Sequence, residues 1–229
     1  MSAHSISELR YERKFHTLSL SREDVLGIIK LHPANFRLTY PDRKVNNVYL
    51  DTSEFDCFNA NVEGLPSRSK FRIRWYGETT GAIPKPKLEV KSKDNLVGSK
   101  DAYPLPSFTL DTSFTVQTLR DVLADAELPI FVRTILSAYR PILLNGYRRR
   151  YFESFNGSFR LTVDDLLHYT AMKCYGNRYL GKVLDDESII VELKYGVDHV
   201  LQDMEIANAL RLRMTKNSKY VTGVYAVYG

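Results

Sequence analysis

The feature that most constrains this chain is a set of short segments that alternate apolar and charged residues with a period of two, the pattern of half-buried strands. Leu9 to Thr17 puts Arg10, Glu12, Lys14 and His16 on one face and Leu9, Tyr11 and Phe15 on the other. Ser69 to Trp75 alternates Lys70, Arg72 and Arg74 with Phe71, Ile73 and Trp75. Lys85 to Lys93 sets Lys85, Lys87, Glu89, Lys91 and Lys93 against Leu88 and Val90. Ser158 to Asp164 alternates Arg160, Thr162 and Asp164 with Phe159, Leu161 and Val163, and Ile189 to Tyr195 sets Glu192 and Lys194 against Val191, Leu193 and Tyr195. Val45–Asp51, Ser99–Tyr103 and Ile142–Glu153, which holds the YRRRYF run, read as further strands.

Helices are expected to be short and peripheral. Ser21 can cap Arg22–Leu31, with Asp24 completing a capping box. Val116–Asp125 and Pro129–Tyr139 are amphipathic, the latter with Pro129 suited to a first helical turn, and Asp198 can cap His199–Leu212. Roughly eight strands and four helices make an antiparallel-rich α+β chain. No repeat, low-complexity tract or long linker interrupts it, so residues 1–229 are taken as one domain.

The charged faces are where function enters. An ordinary antiparallel sheet keeps one face on the core and one in water, but a solvated face usually mixes both signs. Here Lys70, Arg72, Arg74 and Lys85, Lys87, Lys91, Lys93 form like-signed rows, and neighbouring rows of one sign repel. A polyanion or several phosphates among them removes the conflict. A sheet curled into a barrel would gather the rows in one lumen, where low-dielectric walls concentrate the field. Glu12, Glu89 and Glu192 each lie among cations. Each is either a salt-bridge partner or a ligand to Mg²⁺ or Mn²⁺, which take carboxylate oxygens and keep substrate phosphates in their shell.

Composition narrows the rest. The net charge is only +5, from 32 Lys and Arg against 27 Asp and Glu, so the surplus is local and not global. Two cysteines, Cys57 and Cys174, make neither a disulfide framework nor a zinc knuckle. No apolar run approaches the ~20 residues that span a bilayer, and MSAHSISELR lacks a signal-peptide core; a cytoplasmic protein is expected. No GxSxG, HExxH or P-loop motif is present. The histidines are scattered, with His16 alone on a polar strand face, and Trp75 reads as a core anchor.

YERKF at 11–15, NVYLDT at 47–52, KFRIRWYG at 70–77, LEVKSK at 88–93, YRRRYF at 147–152, FRLTVDD at 159–165, VELKY at 191–195 and NSKY at 217–220 occur in the order seen in VTC domains. The chain thus resembles the CYTH-like triphosphate tunnel metalloenzymes. The resemblance implies a closed eight-stranded antiparallel β-barrel and an ATP-dependent polyphosphate polymerase that moves the ATP γ-phosphate onto a growing inorganic polyphosphate chain. By motif it makes Lys14 the first-strand lysine, Arg72 and Arg74 a paired phosphate clamp, and Lys91 and Lys100 the next lumen lysines. Arg149 takes the YxR position, with Arg148 its rival for the lumen. Arg160 is the arginine before TVD, Glu192 the ligand to Mn²⁺ or Mg²⁺, and Lys219 the late lysine, with Lys216 its companion. The tunnel triphosphatases begin ExExK; here Arg10 stands at the first glutamate, which removes one metal ligand and favours the polymerase branch.

Two rivals remain. One is a tunnel hydrolase that cleaves triphosphate or short polyphosphate. The other is a non-catalytic polyanion-binding module, including a single-strand nucleic-acid binder. The latter is weakened because Phe71, Ile73 and Trp75 face away from the cations, and no nucleic-acid partner is expected.

Overall fold

The alternating segments form ladders in the computed structural model, which describes residues 10–94, 97–179, 181–196 and 200–229. In chain order the elements are β1 (Arg10–Thr17), α1 (Arg22–Lys30), β2 (Arg37–Asp51), α2 (Asp56–Val62), β3 (Ser67–Tyr76), β4 (Gly81–Ile83), β5 (Lys87–Asp94) and β6 (Val97–Pro104). They continue with β7 (Phe108–Leu110), α3 (Val116–Ala124), α4 (Ile130–Leu136), β8 (Arg140–Glu153), β9 (Phe159–Ala171), β10 (Lys182–Asp185), β11 (Ile189–Gly196), α5 (Val200–Ala209) and α6 (Lys219–Tyr228). The main strand order is β1–β11–β9–β8–β2–β3–β5–β6, with β10 added on β9 and β4–β7 a separate pair. The eight strands of that path are the eight expected from the sequence, five of them by alternation.

The expected closure into a barrel needs correction. The described ladder is an open path with β1 and β6 at its ends. The second edge of β1 is taken by the chain at Met214–Thr215, through a bridge from Phe15 to Met214 and a hydrogen bond from Thr215 N to Lys14 O of 2.8 Å. Lys85, expected on a strand face, precedes β5 and is exposed. Asp198, the expected cap of the helix that is now α5, lies outside the described residues, as does Leu9.

The chain divides into two compact units. One comprises Met1–Arg43, Tyr147–Leu167 and Asp185–Asn217; the other comprises Lys44–Gly146, His168–Leu184 and Ser218–Gly229. In the first unit, the odd-numbered face of β1, β9 and β11 is apolar: Phe15, Leu161, Val163, Val191 and Leu193 pack on Val25 and Ile29 of α1 and on Ala207 of α5. The helix α1 starts where the capping box predicts, with Ser21 N donating to Asp24 Oδ2 (2.9 Å) and Asp24 N to Ser21 Oγ (3.1 Å). Burying one face of these strands under helices commits the even-numbered side chains to the opposite face.

In the second unit, Phe71, Ile73 and Trp75 are 4%, 0% and 2% exposed, so the apolar face of β3 is core and cannot stack on bases. The Trp75 indole N–H donates to Glu78 O (2.8 Å). Two helices here escape the sequence patterns. The backbone N–H groups of Cys57 and Phe58 in α2 donate to the carboxylate of Asp51 (2.9 Å each), which is fully buried and lies outside the N-cap position. The helix α6 is rich in Val and Tyr, a strand-like composition, but Ser218 caps it and Gly223 lets it pack close. A Cβ at Gly223 would stand 2.5 Å from Leu143 Cδ2 and from Tyr169 Cδ1. Among the described residues no helix is long and apolar enough to cross a membrane.

Candidate functional site

The predicted site residues fall into two groups, one in each unit, and each group is built by strand register. In the second unit the polar face of β3 and β5 lines up in rows. Lys70 stands opposite Lys91, and Lys91 opposite Lys100. Tyr49 stands opposite Arg72, and Arg72 opposite Glu89; Asn47 stands opposite Arg74, and Arg74 opposite Lys87. A row of three lysines on adjacent strands is an arrangement that like-charge repulsion opposes.

Glu89 is the carboxylate that answers this surplus. Its Oε2 accepts from Arg72 Nε (2.8 Å) and lies 2.7 Å from Arg72 Nη2 and 3.5 Å from Arg74 Nη1; its Oε1 lies 2.6 Å from Lys100 Nζ. Burial opposes ionisation of Glu89, but Arg72, Arg74 and Lys100 outweigh it and hold the acid at a pKa of about 2. Lys100 is shifted down, by burial first and by Arg72 and Arg74, against the pull of Glu89. Arg74 Nε also donates to Asn47 Oδ1 (2.9 Å), and Arg72 Nη1 reaches the Tyr49 hydroxyl (3.4 Å). The two guanidiniums are thereby fixed in orientation, as a phosphate clamp requires.

Lys219 belongs to the same unit. It opens α6, is only 8% exposed, and follows Ser218, which accepts from Lys70 Nζ (3.0 Å). The positive end of a helix dipole beside a lysine favours an anion nearby. Lys91 is exposed on the same polar face.

In the first unit, Lys14, Glu192 and Thr162 share one register row on β1, β11 and β9, and Glu12, Lys194 and Arg160 share the next. Lys14 Nζ lies 3.1 Å from Glu12 Oε1 and 3.6 Å from Glu192 Oε1, and donates to Asn217 O (3.2 Å). Glu192 Oε2 is 3.2 Å from both Arg149 Nη2 and Lys194 Nζ. Arg149 forms a two-pronged pair with Asp164, at 2.5 Å from Nε and 2.6 Å from Nη2. Burial works against the Arg149 charge, but Asp164, Tyr147 and Glu192 more than compensate and keep the guanidinium firmly protonated.

The structure decides the register of the arginine run. Arg149 shares a face with Glu192, whereas Arg148 pairs with Asp165 (2.8 and 2.6 Å) and Arg150 with Asp42 (2.6 and 2.8 Å). Arg22 of α1 touches both of these acids, at 2.9 Å from Asp42 and 3.0 Å from Asp165. Those two arginines hold the helix to the sheet. Arg160 keeps the expected face, but its side chain is 62% exposed and meets Glu153 at 3.2 Å. Lys216 is exposed, and His16 meets the Ser188 hydroxyl at 2.9 Å.

The three glutamates offered as metal ligands are not equivalent. Among the described residues no group of three or more His, Cys, Asp and Glu side chains gathers at metal-binding distance. A ligand set completed by substrate phosphates needs fewer protein carboxylates. Glu12 and Glu192 fit that donor chemistry: both approach the Lys14 ammonium, and Glu192 meets Arg149 and Lys194 at 3.2 Å each. Glu89 does not fit. Both its oxygens are committed to cations at 2.8 Å or less, and no second carboxylate shares its rows. Asp164, Lys194, Lys70 and Asn47 were visible in the alternating strands, but nothing in the one-dimensional pattern shows their pairing with the site residues.

Cys57 lies apart from both groups. Burial, set against a hydrogen bond with Tyr139, pushes its thiol up to about 12, so it is no thiolate.

The VTC domain family model matches residues 6–228. No curated protein matches the chain. Similar solved structures include a candidate adenylyl cyclase from Hippeastrum with a dominant triphosphatase activity, at 13% identity over 96% of this chain and 97% of that one, TM-score 0.54. A candidate adenylate cyclase from Vibrio parahaemolyticus aligns at 12% identity over 94% and 98%, TM-score 0.52. A protein from Pyrococcus horikoshii OT3 aligns at 9% identity over 93% and 97%, TM-score 0.51. At these identities the likeness is one of fold.

Proposed function

This chain belongs to the VTC domain family, and from that premise we propose that it is a divalent-metal-dependent polyphosphate polymerase of the triphosphate-tunnel kind, using ATP as phosphoryl donor. The observation that carries the proposal is the polar face of β3, β5 and β6, where Lys70, Arg72, Arg74, Lys87, Lys91 and Lys100 stand with Glu89 among them. A phosphoanhydride chain bears about one negative charge per phosphate and meets such a row of cations along its length.

Phosphoryl transfer asks a protein mainly for positioning and charge neutralisation. Arg72 and Arg74 present planar forks to phosphate oxygens, and the lysines act as point charges beside them. A terminal oxygen of the growing chain forms the new bond to the γ-phosphorus, the bond from that phosphorus to the β–γ bridging oxygen breaks, and ADP leaves. The attacking oxygen is already anionic, so neither a serine or cysteine nucleophile nor a general base is required. Glu192 and Glu12 would hold Mn²⁺ or Mg²⁺, which supplies neutralisation of phosphate charge when bound. Lys14, Arg149, Arg160, Lys216 and Lys219 would add phosphate contacts.

The rival is hydrolysis of tripolyphosphate, favoured by the triphosphatase activity of the Hippeastrum protein. It requires activation of water, and Arg10 replaces a glutamate that the tunnel triphosphatases carry. Incubation with ATP and Mn²⁺ separates the two: long-chain polyphosphate and ADP in equal phosphoryl equivalents are expected. Orthophosphate from tripolyphosphate, with no chain growth from ATP, would establish the hydrolase.

A further inference from the structure

Among the described residues, the buried Thr162 hydroxyl has no hydrogen-bond partner. It lies at the centre of β9, directly opposite Glu192, which is itself opposite Lys14. The residue is 7% exposed, and its Oγ1 is sealed from solvent. Buried hydroxyls are nearly always bonded, and one left unmade costs stability. Valine has the same shape without that cost. The neighbouring odd-numbered positions, Leu161 and Val163, are apolar and belong to the core, so a threonine on the polar face is not there for packing under the helices.

The geometry points to Thr162 as a neutral oxygen ligand, through Oγ1, for the divalent cation held by Glu192; this rests on the metal role proposed for that glutamate. The place already accommodates positive charge, since the Lys14 ammonium lies between Glu12 and Glu192. Hard cations combine carboxylate with hydroxyl oxygens, and one neutral ligand beside one or two carboxylates leaves the rest of the shell for phosphate. A bare phosphate is a poorer occupant of this row, because it would meet the Glu192 carboxylate directly.

The test measures Mn²⁺ affinity by calorimetry and metal-free melting temperature in the full chain for Thr162→Val, Thr162→Ser and Glu192→Gln. The expected result is a roughly 10-fold weaker Mn²⁺ affinity in Thr162→Val, near-normal affinity in Thr162→Ser, and a metal-free melting temperature in Thr162→Val about 2–4 °C above that of the unmodified chain. A lower melting temperature in Thr162→Val would reveal a partner for the hydroxyl within the protein and overturn the inference. So would unchanged affinity in Thr162→Val, or equal loss in the serine and valine variants. If Thr162→Val binds Mn²⁺ normally while Glu192→Gln does not, the threonine inference fails alone. If Glu192→Gln also binds normally, the metal role of Glu192 fails and takes the inference with it.

Discussion

The two polar faces are built alike, as one side of antiparallel ladders, yet they solve opposite electrostatic problems. On β1, β9, β11 and the first-unit part of β8, Lys14, Arg149 and Lys194 are matched by Glu12, Asp164 and Glu192. On β3, β5 and β6 of the second unit, Glu89 meets Arg72, Arg74 and Lys100 together, with the lysine row beside it. A balanced face can bind a cation by exchanging one positive partner for another. A face in surplus is satisfied by a polyanion. On the proposed function, the carboxylates that would hold the metal lie in the first unit, and the cation surplus that would make most phosphate contacts lies in the second.

The largest expected effect is structural and falls on the balanced face. Arg149→Ala leaves Asp164, fully buried, without its two-pronged partner and should cost about 3–5 kcal/mol in chemical denaturation. A cost under about 1 kcal/mol would show that this face is not balanced as described. Next, Arg72→Ala should lower kcat by about 100-fold, measured as phosphoryl transfer from ATP.

A third test uses pH. Glu89 is held at about 2 in the folded chain against an ordinary 4.5, so its contribution, on the order of 3 kcal/mol, is present above pH 4.5 and disappears as pH falls toward 2. Glu89→Gln should flatten that part of the stability–pH curve, and an unchanged acid limb would contradict the proposed hub. The smallest effect belongs to the exposed pair of Arg160 and Glu153. Glu153→Ala should change stability by less than about 0.5 kcal/mol, and a larger loss would place the pair in a network.

Much of this division was legible in the sequence, because alternation alone assigns a face to each strand residue. It found five of the eight strands of the main path, β-rich composition suggested the rest, and it put Arg72, Arg74, Glu192 and Lys14 on polar faces. It did not separate Glu89 from Glu192, since both read as a glutamate among cations. The difference lies in partner distances and in the second carboxylate near Glu192, which register across β1 and β11 supplies. The helices α2 and α6 were missed for different reasons. One takes backbone capping from Asp51 in the preceding strand. The other is made helical by packing despite a strand-like sequence. Closure was expected from family likeness and was not carried by any local pattern; the chain at Met214–Thr215 occupies the edge of β1 instead. The choice between Arg148 and Arg149 needed acids from other strands, Asp165 and Asp164.

The division of labour is tested most directly by titrating tripolyphosphate into the full chain with and without Mn²⁺, comparing Arg72→Ala/Arg74→Ala with Glu192→Gln. The account predicts that the double arginine variant loses most metal-free binding and that Glu192→Gln keeps it but loses the increment added by Mn²⁺. Equal losses in both variants, with and without metal, would contradict it.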